Sequence, residues 1–140
     1  LLKQYEKTRG IDVKEIYGKD HAESFLLLTQ DRTAAFVMDD ILLYSLVSQS
    51  RTPGDYAISA DALSVEPYGI MVRKDDAAYK KVVDAAVANL YKSGQISAIY
   101  EKWFLKPVPP KGINLNVPMG DAMKKVVANP TDSGDQAAYK

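Results

Sequence analysis

Apolar and polar positions in the first half of the chain predict strands and helices in alternation. Residues 11 to 17 (IDVKEIY) alternate as in a short strand, and residues 33 to 39 (TAAFVMD) form a continuous apolar run typical of a strand buried on both faces. Apolar positions three and four apart follow each strand, in residues 19 to 32 and 40 to 50, and residues 68 to 74 (YGIMVRK) predict a further strand. This order predicts an α/β fold with a largely parallel sheet.

The second half of the chain is predicted to be helical. Residues 79 to 90 predict one amphipathic helix, which Gly94 ends, and an aromatic stripe around Trp103 predicts a second helix that stops at Pro107. The proline-rich residues 106 to 118 predict an extended connector before a short final helix. Core packing is the simplest role for the aromatic stripe.

The amino-terminal residues 1 to 8 (LLKQYEKT) predict the later turns of an amphipathic helix that ends at Gly10, with Glu6 away from its apolar side. The sequence has no initiator Met at its first position. We therefore expect the chain to begin within an element and to be a fragment.

Two predicted helix starts carry the side chains of greatest chemical interest. Asp20 is predicted as an N-cap with Glu23 as its reciprocal partner in a capping box, which puts His21 at the first helical position. Asp39 and Asp40 fall where the predicted buried strand passes into a helix. One carboxylate suffices to cap a helix, and the residues favour that role for Asp40, whereas spacing leaves Asp39 either a cap or a ligand group.

Length and composition narrow the possible classes. The chain has 140 residues, of which 46% are hydrophobic and 26% charged, which predicts one ordinary globular core. Eighteen basic and eighteen acidic residues give a net charge of zero, so we expect no nucleic-acid partner and no bulk attraction to an anionic membrane. The absence of cysteine excludes disulfides and thiolate metal sites, and no motif indicates a cofactor.

A ligand cleft is the chemistry that the remaining residues favour. The sequence has one histidine, His21, and neither a nucleophile elbow nor a phosphate loop, which argues against a hydrolase or a nucleotide-binding protein. Ligands of open α/β sheets bind beyond the carboxyl ends of the strands, where both His21 and Asp39 fall. Helix-start N–H groups suit an anionic ligand group and Asp39 a cationic one. Taken alone, His21 is better explained as a solvent-exposed residue at a helix start.

Two other classes compete with a binding cleft. Asp39 and Asp40 form an acidic pair at a predicted strand end, as in a magnesium-dependent phosphotransfer or phosphatase-like domain. Such a site needs further carboxylates and a lysine, and the sequence places neither. The proline-rich residues 106 to 118 are compatible with an adaptor whose extended segment docks partners.

Five segments combine into a more specific signal than any of them alone: KDHAESF, AFVMDDILL, EPYGIMVRKDD, SGQISAIYEKWF and PVPPKGINLNVP. Together they resemble the carboxyl-terminal half of periplasmic glutamate/aspartate-binding proteins, the solute receptors of polar amino-acid ABC importers (solute-binding protein family 3). YGIMVRKDD and the later Glu-Lys-Trp-Phe are similar to the amino-acid receptors as a whole. The KDH and PPKGINLN segments narrow the resemblance to the branch with acidic substrates.

The resemblance implies a two-lobe, periplasmic-binding-protein-like α/β fold of type II, of which this chain is a carboxyl-terminal fragment. Residues 1 to 66 are then most of the second, inserted lobe, and residues 67 to 74 are a hinge strand. Residues 75 to 106 are the terminal helices of the first lobe, and residues 107 to 140 are a carboxyl-terminal extension with a short helix.

The resemblance also implies a binding function without catalysis. The protein would capture L-glutamate or L-aspartate between its lobes and deliver it to a membrane permease, in the periplasm of a Gram-negative bacterium after export by a signal upstream of residue 1. Asp39 would hold the α-ammonium group, and His21 would lie against the side-chain carboxylate. The arginine that holds the α-carboxylate in the family has no counterpart in the matching segments.

Two expectations follow from a missing half. Because part of the cleft is absent, we expect the chain alone to bind glutamate no tighter than about 1 mM. We also expect the missing amino-terminal half or a second copy to cover the apolar stripes of residues 75 to 104.

Overall fold

The computed structural model describes residues 1 to 139, and the chain divides into two units, Leu1–Leu63 and Ser64–Lys140. The first unit contains α1 (Leu2–Arg9), α2 (His21–Thr29), α3 (Asp40–Ser48) and a short 3₁₀ helix (Pro53–Asp55). The second contains α4 (Ala77–Lys92), α5 (Gln95–Tyr100) with a π-helical turn (Glu101–Leu105), α6 (Asp121–Ala128) and a final 3₁₀ helix (Gln136–Tyr139). None of the helices in this described part is long and apolar enough to cross a membrane.

The predicted helix ends are confirmed where local chemistry determines them. Gly10 follows α1 in the left-handed conformation, with φ 65°, and its N–H donates to the carbonyl of Glu6. Gly94, with φ 77°, separates α4 from α5. Left-handed backbone carries little steric cost for glycine, so each glycine ends a helix without strain. The predicted starts at His21 and at the Asp39–Asp40 junction are confirmed as well.

The strands predicted for residues 11 to 17, 33 to 39 and 68 to 74 stay predictions. Within residues 1 to 139 these segments form neither a helix nor a hydrogen-bonded ladder, and the one β-bridge there joins Val108 and Ile113. A strand satisfies its backbone donors and acceptors through a neighbouring strand. Strand-forming sequence therefore needs a partner before the ladder can form.

The single globular core that composition predicts is not found in the described residues. Only two of their side chains are buried, those of Tyr139 (6% exposed) and Glu6 (7% exposed). In the second unit Met71 is 96% exposed and Tyr68 is 73% exposed. Burial of apolar surface contributes about 25 cal/mol per Å², so side chains of this size favour a further covering surface.

The aromatic stripe of the second unit packs only in part. The rings of Tyr100 and Phe104 stack with centroids 4.4 Å apart. Trp103, for which core packing was predicted, is 48% exposed, and the ammonium of Lys102 lies 5.2 Å from its ring centroid. A tryptophan in contact with a cation at the surface gains less from burial than a core tryptophan does.

The predicted proline-rich connector is fastened to the end of the preceding helix. The N–H of Val117 donates to the carbonyl of Phe104 at 3.1 Å, and the side-chain amide of Asn114 donates to the carbonyl of Leu105 at 3.0 Å. The last carbonyls of a helix have no partner within the helix. The connector supplies two of these partners and is therefore held against the π-helical turn.

The carboxyl-terminal residues are also attached to α4. Helix α6 packs on α4 and on the final 3₁₀ helix. The ammonium of Lys80 on α4 pairs with Asp84 and with Asp132, each at 2.5 Å. Hydrogen bonding to Lys80 holds the pKa of Asp132 below its usual value. The buried Tyr139 donates its hydroxyl to the carbonyl of Ser133 at 2.6 Å, which closes the end of the chain on itself.

Candidate functional site

Helix α2 begins where two carboxylates accept hydrogen bonds from the backbone. The N-cap Asp20 is extended, and its Oδ1 accepts a hydrogen bond from the Glu23 N–H at 2.8 Å. The Glu23 carboxylate accepts the Lys19 N–H at 2.7 Å. The predicted cap is confirmed, but the Glu23 carboxylate accepts the N–H of Lys19, one residue before the N-cap N–H that a capping box uses. His21, the first helical residue, is exposed as the residues favoured.

Gly18 lies against the first turn of α2. A Cβ atom at this position would stand 2.7 Å from both the backbone N and the Oγ of Ser24, closer than real side chains approach backbone atoms. The Ser24 hydroxyl in turn donates to the carbonyl of Asp20 at 2.9 Å. The segment from Gly18 to Ser24 is therefore folded tightly on itself, and it carries His21 at the helix start.

Asp39 and Asp40 play different parts at the start of α3. Asp39 holds the N-cap position, and its carbonyl accepts the N–H groups of Leu42 and Leu43, each at 3.1 Å. Its side chain makes no capping hydrogen bond. The carboxylate of Asp40 accepts the Ile41 N–H at 2.7 Å, where the positive end of the helix dipole also favours it. The N-cap is thus Asp39 and not Asp40, for which capping was predicted, and the Asp40 carboxylate supports the helix start from the first helical position.

The structure places His21 and Asp39 in the same unit, each at the start of its own helix. Their meeting in one ligand cleft stays a prediction. A magnesium site at Asp39 and Asp40 needs additional carboxylates. Among residues 1 to 139 no three His, Asp or Glu side chains are grouped closely enough to hold a metal ion, so nothing there favours the phosphotransfer alternative.

The burial of Glu6 was not predicted from the helical periodicity of the sequence. Glu6 lies on the polar side of the predicted α1, yet its side chain is buried. Its carboxylate accepts the Val13 N–H at 2.9 Å and pairs with the Lys3 ammonium at 3.0 Å. Helical periodicity describes only the contacts of a helix face, whereas the partner that covers Glu6 comes from the segment after the helix.

A second contact ties the same segment to α1. The Lys3 ammonium also lies 3.4 Å from the Glu15 carboxylate, which accepts a hydrogen bond from the Tyr17 hydroxyl. Bonding to Tyr17 and to Lys3 lowers the pKa of Glu15, and the same carboxylate raises the pKa of Tyr17. The side chain of Lys3 is largely exposed, so this pair orients the segment more than it stabilises it.

Comparison with known proteins identifies the family. The family of bacterial extracellular solute-binding proteins, family 3, matches residues 3–106 of this chain. The chain belongs to this family. The family implies the two-lobe fold of periplasmic binding proteins, as the resemblance did, and this chain is a helix-rich part of it.

Three relatives align with the same share of the chain, 132 residues or 94%. The chain is 48% identical to the L-glutamate/L-aspartate-binding protein of Pseudomonas aeruginosa. It is 36% identical to the glutamate/aspartate import solute-binding proteins of Escherichia coli and of Salmonella typhimurium. The aligned residues cover 44% of each relative, so the chain spans less than half the length of the relatives it matches.

The close approach of Gly18 to Ser24 generates a stability prediction. Gly18→Ala should destabilise the first unit by about 1 to 3 kcal/mol, the usual cost of inserting a methyl group into filled space. Urea unfolding followed by circular dichroism measures the change. Gly54→Ala is the matched control, because a Cβ atom there meets nothing within 4 Å. Equal midpoints for the two variants would contradict the contact.

Proposed function

We propose that this chain is the carboxyl-terminal part of the solute-binding component of an ABC importer for L-glutamate or L-aspartate, and that it has no catalytic activity. The observation that carries the proposal is its identity to the Pseudomonas relative, whose name gives these two amino acids as its ligands. The names of the other two relatives also give glutamate and aspartate as the solutes that they bind.

Two features of the first unit support an acidic amino acid as the ligand. The Asp39 carboxylate, at the N-cap position of α3, has the charge that suits the α-ammonium group of the ligand. His21 lies exposed at the start of α2, where an imidazole and the helix dipole both favour a carboxylate. Glutamate and aspartate carry both kinds of group.

Lobe closure is the mechanism that this assignment implies. Residues 1 to 66 act as the second lobe, residues 67 to 74 as the hinge strand and residues 75 to 106 as helices of the first lobe, with residues 107 to 140 as an extension. Closing brings His21 and Asp39 toward groups of the other lobe. Ligand charges then leave water only when both sides are in place, so the closed form is stabilised by ligand.

The partners follow from the same assignment. The loaded protein delivers its amino acid to the membrane subunits of an ABC permease, in the periplasm of a Gram-negative bacterium, and an export signal precedes residue 1. The exposed apolar side chains of the second unit, such as Tyr79 and Val82 on α4, are covered by an amino-terminal half or by a second copy.

Magnitudes predict that this chain binds weakly by itself. A micromolar receptor needs about 8 kcal/mol of net binding free energy. Each charge-assisted hydrogen bond contributes about 1.5 to 3 kcal/mol, before the cost of immobilising the ligand. Asp39 and His21 together therefore fall short, and calorimetric titration of the 140-residue chain should give a Kd for L-glutamate no tighter than about 1 mM.

A chimera supplies the complementary measurement. When this chain replaces the aligned stretch of the Pseudomonas relative, L-glutamate should bind with a Kd of about 1 µM or tighter. Micromolar binding by the 140-residue chain alone would contradict the incomplete cleft. A folded chimera that fails to bind, while the unaltered relative binds, would contradict the proposed function.

The adjacent carboxylates offer a matched pair of variants in the chimera. Asp39→Asn should weaken glutamate binding by about 10- to 150-fold, because it removes a charge-assisted hydrogen bond to the ammonium group. Asp40→Asn should leave the Kd nearly unchanged and lower only the thermal midpoint. Calorimetry and thermal unfolding measure both quantities. An equal increase of the Kd in both variants would contradict the proposed contact between Asp39 and the ammonium group of the ligand.

The role of His21 is tested by comparing an acidic ligand with its amide. His21→Ala in the chimera should weaken binding of L-glutamate by about 10-fold or more, because the side-chain carboxylate loses a hydrogen-bond donor. L-glutamine, which lacks that charge, should lose little. The ratio of the two Kd values is therefore the readout, and Lys19→Ala, next to the same helix start, is the control. If His21→Ala leaves the ratio of the Kd values for L-glutamate and L-glutamine unchanged, His21 does not contact the side-chain carboxylate.

A further inference from the structure

We propose that Glu6 is a positioning residue for His21. Its buried carboxylate holds the N–H of Val13 and thereby fixes the segment that leads into α2, where His21 is the first residue. What His21 binds rests on the proposed function. The geometry that connects Glu6 to it is independent of that function.

The burial of Glu6 is the first step. Among residues 1 to 139 it is the one charged side chain that is buried, although most apolar side chains there keep some exposure. Moving a carboxylate out of water is unfavourable unless it is paired and hydrogen-bonded. A glutamate on a helix surface can avoid this cost by pointing into solvent. The Glu6 carboxylate instead accepts the Val13 N–H and pairs with the Lys3 ammonium, so it fixes the segment after α1 to that helix.

The path from Val13 to His21 is the second step. The backbone between them is held at three further places, which are the Lys3–Glu15 ion pair (3.4 Å), the Gly18–Ser24 close approach and the Lys19–Glu23 hydrogen bond (2.7 Å). Lys3 belongs to α1 and Glu23 to α2. The segment is thus fastened to α1 at its beginning and to α2 at its end, so a change at Val13 is passed on to the helix start.

Three substitutions separate positioning from general stability. Glu6→Leu keeps the volume and removes the acceptor. Glu6→Gln keeps an oxygen that accepts the Val13 N–H and so should rescue the position of His21. Gln4→Leu makes a similar change on the same helix, at an exposed side chain. If Glu6→Leu does not fold, Glu6→Asp replaces it, because the shorter side chain withdraws the acceptor and keeps the charge.

Nuclear magnetic resonance of the 140-residue chain measures the geometry without any ligand. The sequence has one histidine, so its ring signals belong to His21. In Glu6→Leu, hydrogen exchange of the Val13 amide should accelerate by about 10-fold or more, and the His21 ring signals should shift. In Glu6→Gln and Gln4→Leu, the exchange rate of the Val13 amide and the His21 ring signals should stay close to those of the unaltered chain. Amides of α4, in the other unit, are the internal reference.

The same variants in the chimera connect the geometry to binding. Glu6→Leu should lower the preference for L-glutamate over L-glutamine by about 3- to 30-fold, and should add little once His21→Ala is present, because residues that act through one another are not additive. Equal losses with and without His21 would overturn the positioning role, as would unshifted His21 ring signals in Glu6→Leu. If the chimera binds no glutamate while the ring signals shift as expected, the proposed function fails and the positioning stands.

Discussion

Backbone N–H groups at the start of a helix have no partner within the helix, and the rest of the first unit is arranged around how they are satisfied. At α2 the Asp20 carboxylate takes the Glu23 N–H, and at α3 the Asp40 carboxylate takes the Ile41 N–H. Both residues proposed to touch the ligand stand directly beside these bonds. Their backbones are held by the hydrogen-bonding requirements of the helices.

The second unit depends on a related requirement at helix ends. Carbonyl groups at the end of the π-helical turn accept hydrogen bonds from the connector, and α6 with the final residues returns to α4. These contacts leave large apolar side chains such as Tyr68 and Met71 exposed. The unit is therefore tied together without enclosing a core. Its apolar surface is the side on which further structure is expected to pack.

Features determined within a few residues were predictable from the sequence. The helix ends at Gly10 and Gly94 and the start at Asp20 follow from left-handed glycine and from a capping carboxylate, which are local effects. Strand pairing and core burial need partners far away in sequence, so residues 68 to 74 stayed a prediction and few of the described side chains are buried. The burial of Glu6 was likewise not predictable from helical periodicity, because its hydrogen-bond donor, the Val13 N–H, lies seven residues later in the chain.

The paired aspartates at α3 have a consequence for how such a protein changes over evolutionary time. A residue that both binds a ligand and stabilises a helix cannot be replaced without losing one property for the sake of the other. Here the neighbouring carboxylate of Asp40 carries the structural part. On the proposed function, divergence toward a ligand with a different head group would proceed through position 39, while Asp40 keeps its hydrogen bond at the start of α3.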